Sequence, residues 1–160
     1  MVKFKGRSSL KQLMKDKSIK RGYEIWMLCD KSGYNLKFQV YTGKCENSVE
    51  LGLGVRVILD LCEGLEHKNH VVYMDNFFSS NILNEQLLEK NIYASRTVRF
   101  NRKYLPTFAN DKKLQGGDFD WATRNSGVAM IKWKDRKSVH LLSSLHSPSD
   151  TISVNRKEKT

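Results

Sequence analysis

The chain has 160 residues, 39% of them hydrophobic, which is enough for one domain built on a single core. Its formal net charge of +11 and pI near 9.6 point to a polyanionic partner, nucleic acid before an anionic membrane surface, because clustered Lys and Arg gain affinity by displacing counterions from phosphates. The longest unbroken apolar stretch, Ile25 to Cys29, is far short of the roughly 20 residues that span a bilayer; with no apolar run behind the basic N-terminus, a membrane helix and a secretory signal are excluded and an intracellular location is expected.

Residues 1–21 form a basic arm, with eight basic side chains against the single acid Asp16. From Gly22 to Asp30 the chain is rich in Tyr, Ile, Trp, Met and Leu and stops at Asp-Lys-Ser-Gly, a turn sequence, so it reads as a strand ending in a carboxylate. Tyr34, Leu36, Phe38 and Val40 then alternate with polar residues, which predicts a second strand paired with the first as a hairpin. Between Ser48 and Leu65 the apolar positions fall at helical spacing and Gly64 supplies a stop. His70 to Asp75 is a short apolar run closed by an acid and reads as a buried strand. Asn81 to Lys90 is the next helix, capped by Ser79 or Ser80, and Ile92 to Val98 the next strand. A helix between two strands implies an α/β class with a largely parallel sheet.

Residues 100–117 are polar, with Pro106, Gly116 and Gly117, and read as a loop. Phe119–Thr123, Val128–Trp133 and Val139–Leu145 are β-prone runs separated by turn sequences, which suggests an antiparallel meander. The polar, basic stretch 147–160 is expected to be disordered in isolation. Cys29, Cys45 and Cys62 are odd in number and widely spaced, so they are expected to be buried reduced thiols. Cys62, His67 and His70 lack a fourth ligand and a paired motif for zinc.

The chemistry-bearing candidates are Asp30 and Asp75, each at the end of a central strand. Ligands collect outside the carboxyl ends of strands in α/β sheets, and two converging carboxylates repel unless a cation lies between them, the arrangement of divalent-metal phosphoryl transfer. Taken alone, the two residues are better explained as turn and strand-end formers. Arg96, Arg99, Arg102 and Lys103, interleaved with Phe100 and Tyr104, could track a phosphate backbone or simply form a solvated loop. Trp26, Phe77, Phe78, Trp121 and Trp133 are expected in the core.

Several phrases carry a more specific signal: Phe4-Lys-Gly-Arg-Ser-Ser-Leu-Lys11, Lys20-Arg-Gly-Tyr23 leading to Asp30, Ser32-Gly-Tyr34, Val40-Tyr-Thr-Gly-Lys44, Leu51-Gly-Leu-Gly54 and, above all, Tyr73-Met-Asp-Asn-Phe-Phe-Ser-Ser80. Thr97-Val-Arg99, Asn101-Arg102, Trp133-Lys-Asp135 and Leu141-Leu-Ser-Ser144 extend the set. In these the chain resembles the piggyBac transposase family and its domesticated, transposable-element-derived relatives over about residues 4–145. The resemblance departs at Ser18, where relatives commonly have Pro, and at Ser95, where Gly is common.

The resemblance implies an RNase H-like core in which three aspartates hold two Mg²⁺ ions for DNA strand cleavage and joining, with Asp30 in the first place and Asp75 in the second. The third aspartate belongs to a downstream Gly-Val-Asp phrase that these 160 residues do not contain, so little activity is expected of the chain alone. The implied organisation is a basic arm over 1–21, a partial RNase H-like core over 22–99, a β-rich insertion over 100–146 and the tail over 147–160. Implied partners are DNA, a second copy or a full-length transposase, with no membrane and a nuclear location. A domesticated, non-catalytic DNA-binding or interaction protein and a decayed relic are the competing expectations.

Overall fold

A computed structural model describes residues 1–43, 52–78, 80–102 and 105–152. They form two compact units, Met1–Gly64 and Leu65–Thr160.

In the first unit the basic arm is structured. Strands β1 (Val2–Lys3), β2 (Gln12–Leu13) and β3 (Arg21–Tyr23) make a small antiparallel sheet with β3 in the middle. Gly22 allows this, because a Cβ there would stand 2.1 Å from the Val2 carbonyl oxygen. The predicted strand from Gly22 to Asp30 is therefore two, β3 and β4 (Ile25–Cys29), and β4 pairs antiparallel with β5 (Asn35–Val40) as the expected hairpin.

Helix α1 (Leu53–Cys62) buries Val55, Val57, Ile58, Leu61 and Cys62 on one face. The predicted start of this helix at Ser48 falls outside the described residues. Gly64 ends the helical segment with φ of 89°, a left-handed conformation that favours glycine. On β5 the polar side chains turn toward α1: Lys37 Nζ donates to the Asp60 carbonyl at 2.6 Å and to Glu63 at 2.9 Å, and Gln39 Nε2 donates to Asp60 Oδ2 at 3.2 Å. Leu36 and Phe38 consequently point outward and are exposed. Cys29 is also exposed, whereas Cys62 is buried, so the expectation of buried thiols holds for one of these two; Cys45 lies outside the described residues.

The second unit is a five-stranded mixed sheet in the order β6-β7-β10-β9-β8, built from β6 (Val71–Met74), β7 (Tyr93–Val98), β8 (Phe119–Thr123), β9 (Ala129–Lys134) and β10 (Ser138–Ser143). Helix α2 (Asn81–Glu89) connects β6 to β7. The largely parallel sheet expected from the sequence is corrected here: β6–β7 is parallel, and the other three ladders are antiparallel. The reason is that β10 returns along the free edge of β7, so the predicted meander continues the sheet rather than standing apart from it.

Leu83 and Leu87 of α2 pack into the interior with Val72, Ile92 and Ala94. A second cluster of Val98, Val128, Met130 and Leu142 is covered by Leu105 and Phe108. Trp26 joins the core as expected, but Phe77 is 48% exposed and Trp121 46% exposed. Trp121 lies on an outer strand with one face open, and Phe77 stands in a short 3-10 turn, Asn76–Phe78, where its ring meets Phe78 edge-on at 5.1 Å. No helix among the described residues is long and apolar enough to cross a membrane.

Candidate functional site

Asp30 follows the last residue of β4 and opens the turn that leads to β5. The turn is closed by Gly33 N–H donating to the Asp30 carbonyl and by Asp30 N–H donating to the Tyr34 carbonyl, both at 3.0 Å. Its side-chain Oδ1 accepts from Ser32 N at 2.8 Å, Ser32 Oγ at 2.6 Å and Tyr34 N at 3.0 Å. The Ser32 hydroxyl above all, and then the Tyr34 amide, hold the Asp30 carboxyl below the usual carboxylate range. This exposed group is ionised at neutral pH.

Asp75 follows β6 and is also exposed. Its Oδ1 accepts from Asn76 N at 2.6 Å and its carbonyl from Phe78 N at 3.1 Å, so it caps the 3-10 turn leading toward α2. The preceding residue, Met74, is in register with Arg96 of β7.

The structure separates the four basic candidates. Arg99 and Arg102 are exposed just beyond β7, with Arg102 N–H donating to the Arg99 carbonyl at 3.2 Å. Lys103 lies outside the described residues, as does Tyr104. Arg96 is 3% exposed, so its place is not the solvent-facing rim on which the sequence grouped it. It lies on the inward face of β7 with Ala94 and Val98, Nη2 donating to the Ser80 carbonyl at 2.6 Å and Nη1 contacting Met74 Sδ at 3.3 Å. Burial, and then repulsion from Arg102, lowers its pKa to about 10, which still leaves it charged at neutral pH. Arg96 thus ties the end of β6, which carries Asp75, to Ser80 at the start of α2.

One group of side chains was missed in the sequence. Lys132, Lys134, Arg136, Lys137 and His140, with Asp111, line an open cleft of about 590 Å³ walled by Phe100 and Phe108. Lys132 is buried and pairs with Asp111 at 2.5 Å while donating to the Ala109 carbonyl at 2.6 Å. Lys134 reaches the same carboxylate at 3.4 Å and Ser138 Oγ donates to it at 2.8 Å. The hydrogen bonds from Lys132 and Ser138 lower the Asp111 pKa to about 2. Burial, and then the nearby Lys132, lowers that of His140. The sequence signal was the Lys134-Asp-Arg-Lys137 run, which reads only as a turn between strands.

No group of three or more His, Cys, Asp or Glu side chains that could hold a metal exists among the described residues. What is present is a mixed α/β fold with one exposed aspartate after β4 and another after β6. The family described as transposase IS4 matches residues 1–160, and the chain belongs to this family in its piggyBac-type branch.

The chain is 33% identical over 153 residues to the human PiggyBac transposable element-derived protein 3, covering 90% of this chain and 26% of that protein. It is 26% identical over 152 residues to the human PiggyBac transposable element-derived protein 2, covering 89% and 26%. The piggyBac transposase in a synaptic complex with hairpin DNA, solved by cryo-EM, has the same fold, with a TM-score of 0.81 at 24% identity over 95% of this chain and 32% of that one. The chain therefore spans about a quarter of the length of these curated relatives and about a third of the solved transposase.

Proposed function

We propose that this domain serves metal-dependent DNA strand cleavage and joining of the piggyBac type, with Asp30 and Asp75 as metal ligands. The observation that carries the reading is Asp75: it stands exposed at the end of β6, inside the Tyr73–Ser80 phrase most distinctive of the family. The donor chemistry fits the ion. Asp30 and Asp75 are exposed oxygen donors, which suit Mg²⁺, and local amides engage Oδ1 of each. When bound, Mg²⁺ would polarise a phosphoryl oxygen and lower the pKa of a coordinated water.

Around that chemistry the chain's own groups have separate roles. Arg96 positions the Asp75 turn by holding Ser80 and Met74, while Arg99 and Arg102, with Lys103 after them, meet the DNA backbone. In this reading 1–21 is the basic arm, 22–99 the catalytic part, 100–146 the insertion and 147–160 the basic tail. The protein works in the nucleus, as a self-associated form or paired with a full-length transposase.

The test is Mn²⁺ and Mg²⁺ binding by the wild-type chain and by Asp30→Ala and Asp75→Ala, a readout that does not require strand cleavage by the chain alone. Binding that is lost in each variant supports the assignment, and binding that survives Asp75→Ala overturns it. A second reading is a domesticated DNA-binding protein without catalysis. It is favoured by the curated relatives, which are themselves transposable element-derived proteins. DNA binding by a chain that binds neither Mn²⁺ nor Mg²⁺ would select it.

A further inference from the structure

We infer that the cleft at the β9–β10 hairpin is a docking site for the phosphodiester backbone of a DNA strand, continuous with the end of the sheet that carries Asp75. The inference rests on the reading of DNA as partner and adds a surface to it.

Strand direction provides the first argument. Strand β6 is parallel to β7, and β10 is antiparallel to both β7 and β9, so β6, β7 and β9 all point the same way. Their C-terminal ends lie along one end of the sheet. In sheet order, that end presents Asp75 after β6, Arg99 and Arg102 after β7, and Lys134, Arg136 and Lys137 at the end of β9 and in the turn to β10. Neighbouring strands are about 4.8 Å apart, so three spacings from β6 to β9 cover roughly 14 Å. At about 3.4 Å of axis per nucleotide in one strand, this is room for roughly four phosphates.

Charge provides the second argument. Asp111 neutralises part of the cleft through Lys132 and Lys134. Arg136 and Lys137 are exposed and make no ion pair among the described residues, so the cleft keeps net positive charge. The Asp111 contacts fix Lys132 and Lys134 on β9 while the two turn cations remain available. Phe100, 78% exposed, adds an aromatic wall at the side of the cleft toward β7. A concave basic surface with an aromatic edge matches a nucleic-acid strand.

The experiment is fluorescence anisotropy of a labelled DNA duplex with the chain in EDTA, so that binding is read without any metal-dependent reaction, across a series of salt concentrations. The variant is Arg136→Ala with Lys137→Ala, both in an exposed turn, and Lys15→Ala with Lys17→Ala in the exposed arm is the charge-matched control. The expected result is weaker binding by the hairpin variant and a slope of log affinity against log salt reduced by roughly 2, because each phosphate contact contributes about 0.9. Lys137→Ala alone should show about half that change in slope. Unchanged binding by the hairpin variant, or an equal loss in the arm control, would overturn the inference while leaving DNA as partner. Failure of the wild-type chain to bind DNA would overturn both.

Discussion

Asp30 and Asp75 end comparable strands, yet different parts of the chain hold them. The carboxylate of Asp30 is wrapped by donors from Ser32 and Tyr34, all within its own turn. That of Asp75 takes a single amide from Asn76, while the turn it opens is anchored from beneath by Arg96, a residue of β7. The Asp30 corner is accounted for by local turn chemistry, with or without a metal. The Asp75 corner depends on tertiary structure, because β6, β7 and the start of α2 must all be in place to bury a guanidinium there.

This contrast is open to direct attack. The largest effect is expected at Asp75: Asp75→Ala should lower metal affinity by more than about 100-fold, beyond the 10- to 100-fold typical of residues that only support a ligand, with little change in the urea midpoint. Asp30→Ala should lose metal and also lower the urea midpoint, since three donors then lose their acceptor. Equal midpoints for the two variants would erase the distinction drawn between the corners.

Next in size is Arg96→Ala, expected to cost roughly 3 kcal/mol by urea denaturation, because it opens a cavity and removes the shorter of the two hydrogen bonds to the Ser80 carbonyl, leaving the Asn84 amide at 3.4 Å. Arg96→Lys should recover only part of this, since one ammonium cannot reproduce the planar fork. An Arg96→Ala chain as stable as wild type would mean that Asp75 has no support from below.

A smaller effect concerns acid stability. Asp111 titrates near 2 in the folded chain against an ordinary 3.8. Its stabilisation is therefore complete above about 3.8 and is lost as pH falls toward 2, because the unfolded chain takes up the proton first. Urea midpoints measured between pH 5 and pH 2 should fall less steeply in Asp111→Asn than in wild type. The smallest effect is Lys37→Ala, whose partly exposed pair with Glu63 should contribute no more than about 1 kcal/mol.

The two corners also differ in how far they could be read from the sequence. Asp30 was legible because Asp-Lys-Ser-Gly is a turn by its own chemistry, and the hairpin followed from the alternation of Tyr34 to Val40. The short apolar run Val71–Met74 announced a strand ending at Asp75, but nothing local revealed that Arg96 would lie beneath it. An arginine in a basic stretch reads as surface, and only the inward register of Ala94, Arg96 and Val98 places it inside. Alternation likewise located β5 without telling which face is covered. Lys37 and Gln39 turn toward α1 because Asp60 and Glu63 meet them there, and Leu36 and Phe38 are left outside. The basic cleft was hidden because its cations, on β9 and in the turn after it, read only as a strand end and a turn, while Phe100, Phe108 and Asp111 reach them only once the sheet is assembled.

The central claim is that Asp30 and Asp75 are metal ligands, and calorimetric titration of the chain with Mn²⁺ and Mg²⁺ tests it most directly. The account predicts binding by the wild type that is lost in Asp30→Ala and in Asp75→Ala while both variants remain folded. Absence of binding by the wild type, or undiminished binding by Asp75→Ala, would contradict it.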